Sequence, residues 1–153
     1  MKKIILSCTI ALFVFMACSE PDCVSTAGEL VKLGFYSYPK DSARKFRINS
    51  LELKGSDSLL VEESTNLSSV NLPLDPSDTS ITAYFDTEFG TDTVQIGYDV
   101  VSRIITENCG VEILFTNVRT LQNTFDSIRV VNSNVLINFK EPGVINENIR
   151  IYN

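Results

Sequence analysis

Apolar and polar residues alternate along most of this chain, and no segment holds a sustained helical period. Val31, Leu33 and Phe35 fall on one side of a run, with Lys32 and Tyr36 on the other. Phe46 and Ile48 alternate, and the parity then shifts to Leu51 and Leu53, which predicts a β-bulge at Asn49 and Ser50. Ile81, Ala83 and Phe85 alternate against Thr82 and Tyr84. Val94, Ile96, Tyr98 and Val100 repeat the pattern after a turn containing Gly90, so the two runs predict a hairpin. Over residues 100–106 the alternation blurs, as for a strand buried on both faces or a second strand after a bend at Asp99. Further runs follow at 111–115, 128–130, 135–139 (Val135, Ile137, Phe139) and 149–151. Turn-forming residues separate them at 39–42, 55–58, 73–78, 108–110, 132–134 and 141–143, and the polar, Ser-rich stretch 64–71 predicts a mobile loop. Eight or nine short strands at such spacing predict an all-β chain. The expected fold is an antiparallel two-sheet β-sandwich, immunoglobulin-like or prealbumin-like, with a small closed β-barrel as the alternative.

The N-terminus departs from this pattern. Lys2 and Lys3 precede an apolar run over residues 4–16, followed by Ala17 and Cys18. A basic start, a short apolar segment and a small residue before the cut describe an export peptide. Spanning a bilayer takes about 20 apolar residues, and Ser19, Glu20, Pro21 and Asp22 stop the run short of that. Phe15, Met16, Ala17 and Cys18 resemble a lipobox, although Phe15 stands where Leu is usual. Ile5, Leu6, Ser7 and Cys8 fit that pattern better locally, but cleavage there leaves only residues 4–6 as the apolar run, against the roughly 7–15 that export uses. The expected organisation is a signal peptide over 1–17, a lipidated linker over 18–27 beginning at Cys18, and a single domain over 28–153. An uncleaved membrane helix and a plain secreted protein are the alternatives. More than one acyl chain (palmitate among them) on Cys18 gives stable membrane residence. Ser19 argues for the outer membrane, and Glu20 with Asp22 resembles the surface-export tethers of Bacteroidota-type lipoproteins.

Charge and cysteines narrow the picture. Removing Lys2 and Lys3 from 13 basic residues, against 19 acidic ones, leaves the mature chain at −8. Nucleic acid is therefore not an expected partner, and the short cluster Lys40, Arg44, Lys45 and Arg47 is interrupted by Asp41. Cys8 lies in the signal and Cys18 at the lipid site, which leaves Cys23 and Cys109 in an oxidising compartment. They form one possible disulfide, with two free thiols as the alternative.

No histidine and no tryptophan occur, so Ser-His triads, histidine acid-base chemistry and histidine metal sites have no side chain to use. No catalytic residue, cofactor or metal is expected. Asp75 and Asp78 read as turn carboxylates. Asp86, Glu88 and Asp92 place oxygens at alternate positions like a truncated calcium loop, but the glycine and glutamate of that motif would fall on Thr91 and Gly97. Four triplets of Asp, Ser or Thr, and an apolar residue contain Ser42, Ser58, Thr93 and Ser127. They look like O-glycosylation acceptors of Bacteroidota and equally like turns before strands. Tyr36 and Tyr84, joined by Tyr38 and Phe89, are candidates for a ligand-stacking face.

With Cys18-Ser19, Cys23, Asn108-Cys109-Gly110, Phe125-Asp126-Ser127-Ile128 and Asn148-Ile149-Arg150-Ile151-Tyr152 in view, the chain resembles a family of uncharacterised Bacteroidota lipoproteins known as a domain of unknown function. The resemblance implies a location and brings no activity or site residues. The expected function is a non-enzymatic, lipid-anchored binding or assembly module at the outer membrane, partnered by the membrane and another envelope protein. A carbohydrate or small-ligand binder is the alternative.

Overall fold

A computed structural model describes residue 23, residue 25 and residues 27–136 and 146–153. The expectations for Cys18, for the 1–17 signal, for Ile137 and Phe139 and for the turn at 141–143 lie outside the described residues. Among the described residues eleven strands, more than the eight or nine expected, follow in chain order: β1 (Leu30–Ser37), β2 (Ser42–Ala43), β3 (Phe46–Leu53), β4 (Leu59–Val61), β5 (Thr65–Leu67), β6 (Ser69–Pro73), β7 (Ser80–Thr87), β8 (Gly90–Thr106), β9 (Gly110–Asn123), β10 (Ser127–Val130) and β11 (Glu147–Tyr152).

They form two open sheets, a β-sandwich and not a closed barrel. One has the order β10-β11-β1-β2, with β6 also beside β1; the other has the order β4-β3-β7-β8-β9, with β5 also beside β3. Alternation sets the layers, because Val31, Leu33 and Phe35 of β1 and Ile149 and Ile151 of β11 point inward from one sheet. Ile48, Leu51, Phe85, Val94 and Ile96 meet them from the other. Across the interface Phe35 stacks on Phe46 at 4.7 Å and meets Phe85 edge-on at 6.4 Å. Phe85 in turn meets Phe125 at 5.4 Å, and Tyr98 meets Phe115 at 5.5 Å.

The predicted bulge is present, as a register shift between Ile48 and Ser50 against β7. So is the predicted hairpin, in which β7 and β8 pair from Ser80↔Gly97 to Thr87↔Gly90. Four features differ from expectation. The stretch 64–71 is not a loop: it holds β5 and most of β6, whose Val70 and Leu72 are buried opposite Leu33 and Val31. The sheets are not wholly antiparallel, since β1 and β11 run parallel. The run at 111–115 continues to Asn123, past Asn117 in the left-handed region at φ 52°. Residues 100–106 neither turn away nor become buried on both faces. They extend β8 as one 17-residue strand with a register shift between Gly97 and Asp99, and Val101 and Ile104 stand exposed.

β11 has partners on both sides, so its inward side chains have no alternative place to go. Ile149→Ala is expected to lower the unfolding free energy by about 2–5 kcal/mol through lost burial and the cavity left behind. Leu60→Ala on exposed β4 should stay within about 0.5 kcal/mol of the parent. Urea unfolding midpoints measure both.

Candidate functional site

The C-terminal strand builds a polar cluster on the outer face of its sheet. Lys32 pairs with Glu147 and Leu33 with Ile149, so Asn148 is the extra residue of a bulge. Simple alternation with Ile149 and Ile151 would turn Glu147 inward, and the bulge turns it to the side of Arg150. Asn148 makes this tolerable in the interior. Its side-chain oxygen accepts the Lys32 N–H at 3.1 Å, and its amide donates to the carbonyls of Asn132 and Asn134 at 3.0 Å.

On the outer face the Tyr36 hydroxyl donates to Glu147 at 3.0 Å, and Arg150 Nε donates to Glu147 Oε1 at 2.8 Å. The Arg150 guanidinium lies 4.5 Å over the Tyr36 ring and reaches Asp41 at 3.2 Å. Asp41, in the left-handed turn before β2, also accepts the Tyr152 hydroxyl at 2.8 Å. Gly34 leaves the room this needs, because a Cβ there would collide with the Glu147 carboxylate. The hydrogen bond to Glu147, ahead of the other contacts, pushes the Arg150 pKa above the ordinary arginine range. Burial, reinforced by the bond to Glu147, raises the Tyr36 hydroxyl pKa above its usual 10.0. Burial, reinforced by the bond to Asp41, does the same for Tyr152. Tyr36 is thus committed to internal partners, ring and hydroxyl alike.

A second constellation lies at the far end of the β8–β9 hairpin. Cys23 and Cys109 are joined in the expected disulfide, with Cα atoms 5.4 Å apart across 86 residues of sequence. Cys109 sits in the hairpin turn, its N–H donating to the Thr106 carbonyl at 3.2 Å. From Cys23 the N-terminal segment runs beside β9. The Ser25 hydroxyl donates to buried Glu112 at 2.7 Å, and the Gly28 N–H reaches the Val135 carbonyl at 3.2 Å. Glu112 also pairs with Arg103 across the hairpin. Chain entry at Cys23 is therefore pinned to the hairpin turn. The sequence signal for this place was the cysteine count; Ser25, Arg103 and Glu112 carried no signal of their own.

The remaining predicted residues do not converge. Tyr36 and Tyr84 point outward from different sheets, because each alternates with an inward phenylalanine, Phe35 or Phe85, so they form no common stacking face. Tyr38 and Phe89 are both exposed, Phe89 with one edge against Phe46 and the Arg44 guanidinium over its ring. Asp92 pairs with inward Phe85, while Asp86 shares the outward side of Tyr84, so these two carboxylates occupy opposite faces. Glu88 instead accepts the Arg47 N–H at 3.3 Å, and no group of three metal-ligating side chains occurs among the described residues. Asp75 caps its own turn by accepting the Ser77 N–H at 2.7 Å. Of the acceptor-like residues, Ser42, Ser58 and Ser127 are exposed at or just before strand starts, whereas Thr93 is half-buried within β8.

A family model matches residues 45–152. The chain belongs to the family of unknown function DUF6452. The DUF6452 match takes in β3 through β11, including Cys109, the polar bulge residue Asn148 and Arg150, and leaves β1, β2 and Cys23 before it. No curated protein and no solved structure matches the chain.

Two measurements follow. Unfolded tyrosines ionise near pH 10 while Tyr36 and Tyr152 hold their protons longer, so their contribution to stability is complete below that pH and is lost as pH rises through the raised folded values. Unfolding midpoints between about pH 9 and pH 11 should fall, and fall less steeply in Tyr36→Phe and Tyr152→Phe. Cys109→Ser should cost about 4 kcal/mol, the scale for closing so long a loop, and reduction of the parent protein should give a similar loss.

Proposed function

We propose that this DUF6452 chain is a lipid-anchored, non-enzymatic module of the bacterial outer membrane, of the Bacteroidota lipoprotein type, which works by contact with another envelope protein. The observation that carries the reading is the Cys23–Cys109 bond, because disulfides persist in oxidising compartments and this one ties the domain to the segment that follows the lipobox-like Phe15-Met16-Ala17-Cys18. Acylation at Cys18 with two or more chains then holds a compact sandwich at the membrane, its hairpin turn close to the lipid. The binding part of the reading is supported by the side-chain inventory: the chain supplies no histidine, and the polar cluster around Arg150 is occupied by its own partners.

Metabolic labelling with a palmitate analogue tests the anchor directly. Parental protein is expected to label and to fractionate with outer membranes, and Cys18→Ala to lose both properties. Equal absence of label in the two would overturn the reading. Crosslinking in intact cells followed by purification should then recover a defined envelope protein with the lipidated form.

A further inference from the structure

The end of the β8–β9 hairpin carries apolar side chains that the opposite sheet does not cover. β8 presents Val94, Ile96 and Tyr98 to the core, and the same inward face continues past the core to Ile104. Ile104 pairs directly with Val111, and Ile113 lies two residues further along that face of β9. These three are 69%, 63% and 43% exposed, against 2% for Phe115 where the core begins. Val101, on the other side of the hairpin, is also exposed. Val111 and Ile113 wall an open groove of about 520 Å³ whose lining is mixed, with Leu74 and Pro76 beside Glu29 and Glu112. A soluble domain rarely leaves such residues grouped and bare, and where it does they mark a contact with protein or membrane.

The path of the chain selects between those occupants. Val111 stands two positions from Cys109, and Cys109 is bonded to Cys23, from which the N-terminal segment leaves. Cys18 is five residues before Cys23, a link of at most about 17 Å, and the disulfide adds 5.4 Å between Cα atoms, so a thioether on Cys18 lies within about 22 Å of the hairpin turn. At that range the bilayer surface is the apolar boundary the patch meets first. We infer that Ile104, Val111 and Ile113 form a membrane-docking face, lying on the headgroup–acyl boundary of the bilayer that holds the lipid and fixing the orientation of the domain upon it.

This inference rests on the lipid-anchor reading, and one preparation tests both. The chain has no tryptophan, so a single substitution gives a clean fluorescent reporter. Full-length protein carrying Val111→Trp or Phe89→Trp is purified from membranes and reconstituted into phosphatidylcholine vesicles with brominated acyl chains. Phe89 adjoins the opposite end of β8, 15 residues before Ile104, the partner of Val111, along a strand of about 3.3 Å per residue, and serves as the distant control. A side chain about 5–10 Å into the boundary region lies within reach of the bromines, so the Val111→Trp emission should shift to the blue and roughly halve, while Phe89→Trp is unchanged. Ile104→Ser added to Val111→Trp should reduce the quenching. Protein that labels with the palmitate analogue but shows equal, unquenched emission from both reporters overturns the docking face and leaves the anchor in place. Blue-shifted but unquenched Val111→Trp emission, with a crosslinked dimer, overturns it in favour of a second copy. Protein that takes no label overturns the anchor and the docking inference together.

Discussion

The pairing of β1 with the C-terminal strand is the constraint on which the rest of this sandwich depends. β11 fills the place between β10 and β1, runs parallel to β1, and sends Ile149 and Ile151 into the centre of the core. Parallel neighbours cannot be joined by a tight turn, so the pairing spans nearly the whole domain; the bond between Lys32 and Asn148 alone bridges 116 residues. Such a contact incurs its loop-closure entropy before it contributes anything, which weighs against fast folding. Asn148 is the device that makes the register unique. Its buried amide satisfies one backbone donor and two backbone acceptors only when the bulge sits at that residue, and a slip by one position would leave all three unpaired.

The same bulge marks the limit of what alternation reveals. Within β3 the parity shift at Asn49 and Ser50 was legible, because apolar residues on both sides of it belong to one continuous run. At the C-terminus the run begins at the bulge itself, so nothing in the sequence says that Glu147 joins Arg150 on the outer face. Asp41, Tyr36 and Tyr152 come together there through three separate elements, and no local spacing encodes their meeting. Strands β5 and β6 were hidden for a different reason. Val70 and Leu72 do alternate with Asn71 and Pro73, but the serines around them give turn-like composition, and only the ladder with β1 decides the outcome. The disulfide, by contrast, was legible by elimination among four cysteines, since it needed a compartment and a count, not a geometry.

Residues 100–106 show what composition cannot say. Their apolar content reads as burial on both faces, yet burial requires something to lie against them, and the opposite sheet reaches only as far as Phe115 and Tyr98. The sequence supplies the apolar surface, and the two sheets of described residues leave it exposed. Candidate stacking residues failed by the same logic in reverse: Tyr36 and Tyr84 have the right chemistry, but pleating assigns them to the outsides of different sheets.

In the proposed arrangement, residence and orientation have separate sources. Two acyl chains suffice for stable attachment, so the hairpin end has no need to bind a membrane by itself. Burying a whole valine or isoleucine side chain is worth about 1.5–3 kcal/mol, and a boundary contact that covers three of them in part gains only a few. Free in solution, that gain would be consumed by the cost of association. Held by a five-residue link that reaches at most about 17 Å, the contact becomes effectively intramolecular, and the same few kcal/mol decide which way the domain faces. The disulfide is what converts chain proximity into fixed geometry: with Cys23 tied to Cys109, the short link ends at the hairpin turn, so the face nearest the lipid is the one carrying Ile104, Val111 and Ile113. Breaking that bond would leave the acyl chains in place while lengthening the tether by the residues from Cys23 to Ser25, and the orienting contact would weaken without loss of attachment.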